Sequence, residues 1–235
     1  MENVHAERSA GWAVLCYVGI VVIATLVTSG LPSVQARPAN AALAIDVRHV
    51  PVLIAVWLTF PAAGFFLWFL VGLRTYLTSA PEGRQEGLPT LAMLAGVVMV
   101  AGSLIAASFE TVAVYAPPDT FAHQGLSGMY DAFIFTQGCL GYAPVSIFLF
   151  AAAHSMRRHE SAPGWLASLG YVAAVGAGLA TLSIFFSGPP LGPGEIGSGI
   201  VGALPTGVWL ICTGLVLIQS KRGSSGGVSS TSAAS

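Results

Sequence analysis

The chain contains very little charge for its length. Only 8% of its 235 residues are charged, whereas ordinary soluble domains contain about 25%. Hydrophobic residues make up 54% of the chain, and the mean hydropathy is +0.77. This composition excludes an ordinary soluble globular protein and predicts membrane lipids as partners. The net charge of −1 gives no basic surface for nucleic acid, so we predict no nucleic-acid partner.

The sequence also lacks the motifs of common metal and cofactor sites. The three cysteines, Cys16, Cys139 and Cys212, lie far apart in apolar runs and form neither a C-x-x-C motif nor a disulfide framework. A G-x-G-x-x-G pattern runs from Gly197 to Gly202, but no strand precedes it and an apolar span follows, which is the wrong context for a dinucleotide site. The apolar spans contain no lysine for a retinal Schiff base and no paired histidines for haem. We therefore predict no metal and no cofactor.

Six apolar segments are long enough to cross a bilayer, which takes about 20 residues. They lie at about 12–30, 51–73, 88–116, 126–153, 165–187 and 197–219. The predicted fold is all-α: a polytopic membrane helix bundle with six transmembrane helices, forming one membrane-embedded domain over residues 1–222. Residues 223–235 are small and polar, so we predict a disordered cytoplasmic tail.

The positive charges indicate an orientation for these spans. All nine Lys and Arg residues lie outside the spans or at their margins, and only Arg37 and Arg48 fall on one of the two sides. The positive-inside rule then places both termini in the cytoplasm of a multi-pass protein of the cell membrane. An alternative is that Arg8, the first apolar run and Val34-Gln35-Ala36 form a cleaved signal peptide, which would leave five spans. The first run, at about 19 residues, is longer than the usual h-region of about 7–15.

Spans two and four are similar in sequence. Pro61 is followed thirteen residues later by Arg74, and Pro144 thirteen residues later by Arg157; both segments are Phe-rich and lead to Ser-Ala-Pro. This pattern predicts a duplicated hairpin, spans two–three and four–five, in parallel orientation around an axis along the membrane normal. The alternative is chance similarity among segments rich in Ala, Gly and Leu.

Two carboxylates, Glu110 and Asp131, lie inside or just within apolar spans. A charge at the centre of a membrane helix costs roughly 2.5–3.5 kcal/mol on insertion scales, and spanning a bilayer does not require one. The topology places both near the outer ends of adjacent spans, so they are candidate catalytic acid/base residues. The alternatives are that Glu110 accepts hydrogen bonds from a neighbouring helix, and that Asp131 caps a helix or pairs with Arg48.

The same predicted side carries further polar and aromatic residues. The candidate substrate-binding residues are Arg48, His49, Tyr115, His123, Tyr130 and Tyr142, and the outer loops add the acids Asp46, Asp119 and Glu195. Helical spacing puts Ser103 on the same face as Glu110, and puts Gly138 and Tyr142 on the same face as Asp131. Small residues at such positions leave room for a ligand or let helices approach closely.

Three functions fit these features. The first is an outward-facing pocket, apolar at depth and polar at its mouth, that binds or moves a small lipophilic compound, with Glu110 exchanging protons. The second is a membrane-embedded acid/base enzyme acting on an isoprenoid or lipid, such as an isomerase or a proton-initiated terpene cyclase, with Glu110 and Asp131 in the two roles. The third is a structural or accessory subunit of a membrane complex. A pathway that reaches both sides of the membrane favours transport, and a closed apolar pocket reached from the lipid, with Glu110 at its wall, favours the enzyme. Filled packing around Glu110 favours the third.

The run FLFAAAHSMRRHESAPGWLASLGY, from Phe148 to Tyr171, combines a Phe-rich helix, arginines at its end, Pro-Gly-Trp and a Gly-rich helix. It resembles a large, poorly characterised group of bacterial six-helix integral membrane proteins. The residues that carry the resemblance are chiefly Arg157, Pro163, Trp165 and Gly170, which look structural. The resemblance extends over most of the chain in length and span count. It implies a six-helix fold and a bacterial origin, and it brings no catalytic motif.

Overall fold

The computed structural model describes residues 2–28, 47–79, 87–115, 123–159, 162–186, 190–193 and 195–219. Within these ranges all regular structure is helical. The helices are α1 (Glu2–Val27), α2 (His49–Leu77), α3 (Leu88–Tyr115), α4 (His123–Ile134), α5 (Tyr142–Arg158), α6 (Gly164–Thr181) and α7 (Ile196–Gln219). A π-helical turn, Phe135–Leu140, joins α4 to α5, and a 3₁₀ turn, Leu182–Phe185, extends α6.

Six helical segments of the described chain are long and apolar enough to cross a membrane, which confirms the predicted number of spans. They are Glu7–Val27, His49–Leu77, Leu88–Tyr115, Gly128–Arg158, Gly164–Phe185 and Ile196–Gln219. The fourth span is composite, because it contains α4, the π-helical turn and α5. The chain is therefore a multi-pass membrane protein. The motif Val34-Gln35-Ala36, the acids Asp46 and Asp119, and the tail at 223–235 lie outside the described residues.

The six spans form a closed ring in chain order. Each span packs against the next one along the chain, and α1 packs against α7. Successive spans run in opposite directions, so α1 begins and α7 ends at the same end of the ring. We call this the terminal end, and we call the opposite end, where α2 and α7 begin, the far end.

Small residues bring these helices into close contact. A Cβ added to Gly11 of α1 would lie 2.7 Å from the carbonyl oxygen of Gly214 on α7, and one added to Gly176 of α6 would lie 2.5 Å from that of Val201. Many bulky apolar side chains face outwards; Trp57, for example, is 66% exposed. Lipid tails solvate such side chains as well as a protein core does. Close contact between helices, and not the burial of apolar side chains, therefore determines which residues face the interior of this ring.

An aromatic layer closes the centre of the ring. Phe66 of α2, Phe148 of α5 and Trp209 of α7 are at most 1% exposed. The Phe148 ring lies 5.9 Å from that of Phe66 and 5.7 Å from that of Trp209, between ring centroids. The indole N–H of Trp209 donates to the carbonyl oxygen of Leu166 at 3.2 Å, and Tyr17 of α1 contacts Phe66 at 4.7 Å between centroids. We call Tyr17, Phe66, Phe148 and Trp209 the aromatic layer.

In the far half of the ring, the π-helical turn interrupts the regular α-helical winding of the fourth span. A Cβ on Gly141 would lie 2.7 Å from the carbonyl oxygen of Gln137 and 2.9 Å from that of Thr136, so the wide turn depends on a glycine there. Such turns shift the helical register of everything that follows them. Pro144 falls in the first turn of α5, where its missing N–H costs little.

Candidate functional site

A cavity of about 540 Å³ lies in the far half of the ring. Pockets for small molecules typically enclose about 300–1,000 Å³. Residues from α1, α2 and α3, from α4 with the π-helical turn, and from the segment leading into α7 line the cavity. On α3 these residues are Met99, Val100, Ser103, Ala107 and Glu110; from Val100 onwards they recur every three or four positions and so form one helical face.

The cavity changes in character along its depth. Tyr17 of the aromatic layer lies at its floor, and Ala62 and Met99 form part of an apolar wall. Thr28, just after the end of α1, and Glu195, just before α7, contribute polar groups where the lining reaches the far end. Met99 and Glu110 are eleven positions apart, which at about 1.5 Å per residue spans roughly 16 Å along α3. The cavity is therefore apolar at depth and polar near the far end.

Glu110 is buried, with 6% of its surface exposed, and its side chain lines the cavity. Within the described part of the chain, no side chain donates a hydrogen bond to its carboxyl group. Ser103 and Ala107, one and two turns away on the same face, are too small to fill the space beside it. A buried carboxylate is costly unless it is paired. The group therefore faces open space and does not serve as a hydrogen-bonded link between helices.

Tyr130 of α4 is the second predicted residue at the cavity. It is 5% exposed, lines the cavity, and lies within electrostatic range of both Glu110 and Asp131. Asp131 is half-buried and is not among the described lining residues. The structure thus does not bring the two predicted acid/base residues together on the cavity wall.

Three of the other predicted binding residues lie at helix ends. Arg48 is half-buried and His49 exposed where α2 begins, and Tyr115 is 69% exposed where α3 ends. None of these three is among the described lining residues. His123 begins α4, and its side chain lies outside the described part of the structure.

The face predicted for Asp131, Gly138 and Tyr142 is interrupted. The π-helical turn lies between the first and the last of these residues, and of the three only Gly138 lines the cavity in the described structure. The Tyr142 ring packs against Gly202 of α7 instead, where an added Cβ would lie 2.6 Å from the ring. The expectation of a regular helix through Phe135–Leu140 was wrong, because the wide turn rotates α5 relative to α4.

The cavity also contains residues that the sequence did not single out as a site. Tyr17, Thr25 and Gln137 line it, and so does Glu195, which the sequence marked only as a loop acid. The backbone holds Glu195 in place: its carbonyl oxygen accepts from the Ser198 hydroxyl at 2.8 Å. For the α1 positions the weak signal was the spacing of small and hydroxyl side chains, which the surrounding apolar residues obscured.

The described lining residues include two carboxylates, Glu110 and Glu195, and no Lys, Arg or His. Over the same described ranges, no cluster of three or more His, Cys, Asp or Glu side chains is arranged to hold a metal. The described lining therefore offers carboxyl groups, phenol rings, hydroxyls and the Gln137 amide around an apolar interior.

In comparisons with protein-family models, curated proteins and solved structures, nothing matches the chain. The function is therefore inferred from the cavity and its residues alone.

Proposed function

We propose that this membrane protein binds a small lipophilic compound in the cavity lined by α1, α2, α3 and α4. The observation that carries this proposal is the unfilled space of about 540 Å³ beside the buried Glu110 side chain. The apolar wall suits the hydrocarbon part of a ligand, and the polar groups near the far end suit its head group. A few polar groups converging on an apolar cavity are typical of small-molecule sites.

The same geometry weighs against the other two functions. An acid/base enzyme using Glu110 and Asp131 needs both groups at one substrate, whereas Asp131 is not among the described residues that line the cavity. An accessory role for Glu110 as a link between helices needs filled packing around it. Movement of the compound across the membrane requires the aromatic layer to open, because Phe66 and Trp209 are fully buried beneath the cavity.

We also propose an orientation of the protein in the membrane, an internal duplication and a bacterial location. Seven of the nine Lys and Arg residues belong to the terminal side, which supports cytoplasmic termini and a cavity that opens to the outside. We also propose the parallel duplication of spans two–three and four–five, supported by the matching Pro, Arg and Ser-Ala-Pro spacings. The resemblance to bacterial six-helix proteins supports a bacterial plasma membrane as the location.

The test is to fill the cavity and to compare what the protein retains. Ser103→Phe places a benzyl group in the cavity lining. Ser108→Phe makes the same change on the same helix at an exposed position, where the serine hydroxyl donates to the carbonyl oxygen of Leu104 at 3.0 Å. Both variants and the wild type are purified in nanodiscs, and small molecules extracted from them are compared by mass spectrometry.

We expect one or more lipophilic compounds to accompany the wild type and Ser108→Phe, and to be depleted in Ser103→Phe. Folding of each variant is checked by circular dichroism and size-exclusion chromatography. Identical extracts from all three folded proteins would contradict the proposal, because the cavity would then have no part in retention.

A further inference from the structure

We propose that the ligand of this cavity is a lipophilic organic cation, such as a hydrophobic amine or quaternary ammonium compound, with Glu110 as its counter-ion. This inference rests on the proposed binding function and specifies the chemical class of the ligand. It follows from three features of the cavity: its charge, its aromatic groups and the positions of its two acidic residues.

The charged side chains of the described lining are all of one sign. Glu110 and Glu195 are its ionisable acids, and the described lining contains no Lys, Arg or His to balance them. Glu110 is 6% exposed and receives no hydrogen bond from a described side chain. A buried ion without a partner is strongly unfavourable, and pairing it with an opposite charge removes much of that cost. Since the protein supplies no such charge in the described lining, a cationic ligand is the complementary partner.

Aromatic rings line the same cavity, and Tyr130 lies within electrostatic range of Glu110. Tyr130 and Phe133 both line the cavity, with ring centroids 6.0 Å apart, and Tyr17 lies deeper. Aromatic faces attract ammonium groups, by about 0.5–1 kcal/mol at exposed sites and about 2 kcal/mol or more when desolvated. An anionic ligand would be repelled by both the carboxylates and the ring faces. A neutral ligand would leave an ionised Glu110 without a counter-ion.

The positions of the two acids indicate how a cation would lie. Glu195 is half-buried next to Ile196, which is 79% exposed, so this acid sits where a ligand enters from the far end. Carboxylates at an entrance raise the local concentration of cations. Glu110 lies inside, with roughly 16 Å of mostly apolar α3 face between it and Met99. The cationic group therefore pairs with Glu110, and the apolar part extends towards the aromatic layer.

The experiment compares two probes of similar shape and opposite charge, tetraphenylphosphonium and tetraphenylborate. Equilibrium binding of each is measured to the full chain in nanodiscs of zwitterionic lipid, with empty nanodiscs subtracted. The proteins are the wild type, Glu110→Gln, Glu110→Asp and Ser103→Phe. We expect the wild type to bind the cation specifically and the anion weakly. Glu110→Gln should weaken cation binding by roughly 30-fold or more, the lower range for losing one partner of a buried charge pair. Glu110→Asp, which keeps the carboxyl group, should retain most of the preference.

The outcomes separate this inference from the function on which it rests. Equal specific binding of both probes, lost in Ser103→Phe, would overturn the cation preference and leave the binding function standing. Probe binding that is unchanged in Ser103→Phe would remove the binding function, and the cation inference with it. If Glu110→Gln fails to fold, thermal unfolding of the wild type is measured with each probe instead. The phosphonium should raise the melting temperature more than the borate, and the reverse order would refute the inference.

Discussion

Replacing Gly11 by alanine should weaken the junction that closes the ring. Gly11 lies where α1 meets α7, and an added Cβ would be 2.7 Å from the Gly214 carbonyl oxygen and 2.7 Å from Cγ1 of Ile218. Non-bonded carbon contacts are most favourable at about 3.5–4.0 Å, so the two helices must separate by roughly 1 Å at this point. The first neighbour is backbone, which cannot move aside by changing a rotamer.

Gly19 offers a matched control on the same helix, because a Cβ there meets nothing within 4 Å. Both substitutions gain the higher helix propensity of alanine, about 1 kcal/mol. Only Gly11→Ala adds an overpacking cost, typically about 1–3 kcal/mol. The difference in unfolding free energy between the two variants should therefore be about 1–3 kcal/mol, with Gly11→Ala the less stable.

The assay is unfolding of the purified protein in mixed micelles as the fraction of denaturing detergent rises, followed by tryptophan fluorescence. Gly19→Ala should unfold at or above the wild-type midpoint, and Gly11→Ala below it. Equal midpoints for the two variants would refute the close packing of α1 against α7.

Two further predictions concern the core and the topology. Trp209→Phe removes the N–H that donates to the Leu166 carbonyl oxygen at 3.2 Å, and it should cost about 1–2 kcal/mol of stability. Trp57→Phe, at a position that is 66% exposed, is the control and should be neutral in the same assay. The topology is tested with single cysteines in a background without the native ones. Ile196→Cys should react with a membrane-impermeant thiol reagent added to intact cells, and Arg157→Cys should react only after lysis. Labelling of both residues from outside would contradict the six-span orientation.

The sequence was sufficient to predict the six spans, because the length of an apolar run is a local property. The membrane-embedded carboxylate at Glu110 was recognisable for a similar reason, since a lone charge stands out against an apolar span. Neither inference required knowledge of which helices are neighbours. Glu7 was missed because it precedes the predicted first span, yet the structure buries it to 1% exposure at the terminal end.

Which side of each helix points into the ring could not be predicted in the same way. In lipid both the inner and outer faces of a span are apolar, so periodicity does not separate them. Trp57 is 66% exposed and Ala62 6%, the reverse of a soluble helix in which the larger apolar side chain is buried. Tyr17 and Glu195 contribute to the same cavity because α1 packs against α7. This contact joins the first and the last helix of the described chain. The π-helical turn had no distinctive local signal either.

The most direct test of a ligand-binding cavity is photo-cross-linking with a neutral lipophilic aryl diazirine in bilayers, followed by peptide mass spectrometry. Met99 lines the cavity, and its neighbour Val98 is 59% exposed on the outer face of the same helix. We predict labelling of both residues in the wild type and in Ser108→Phe, and selective loss of the Met99 label in Ser103→Phe. A label confined to Val98 and other outward-facing residues in every protein would contradict a cavity open to lipophilic compounds.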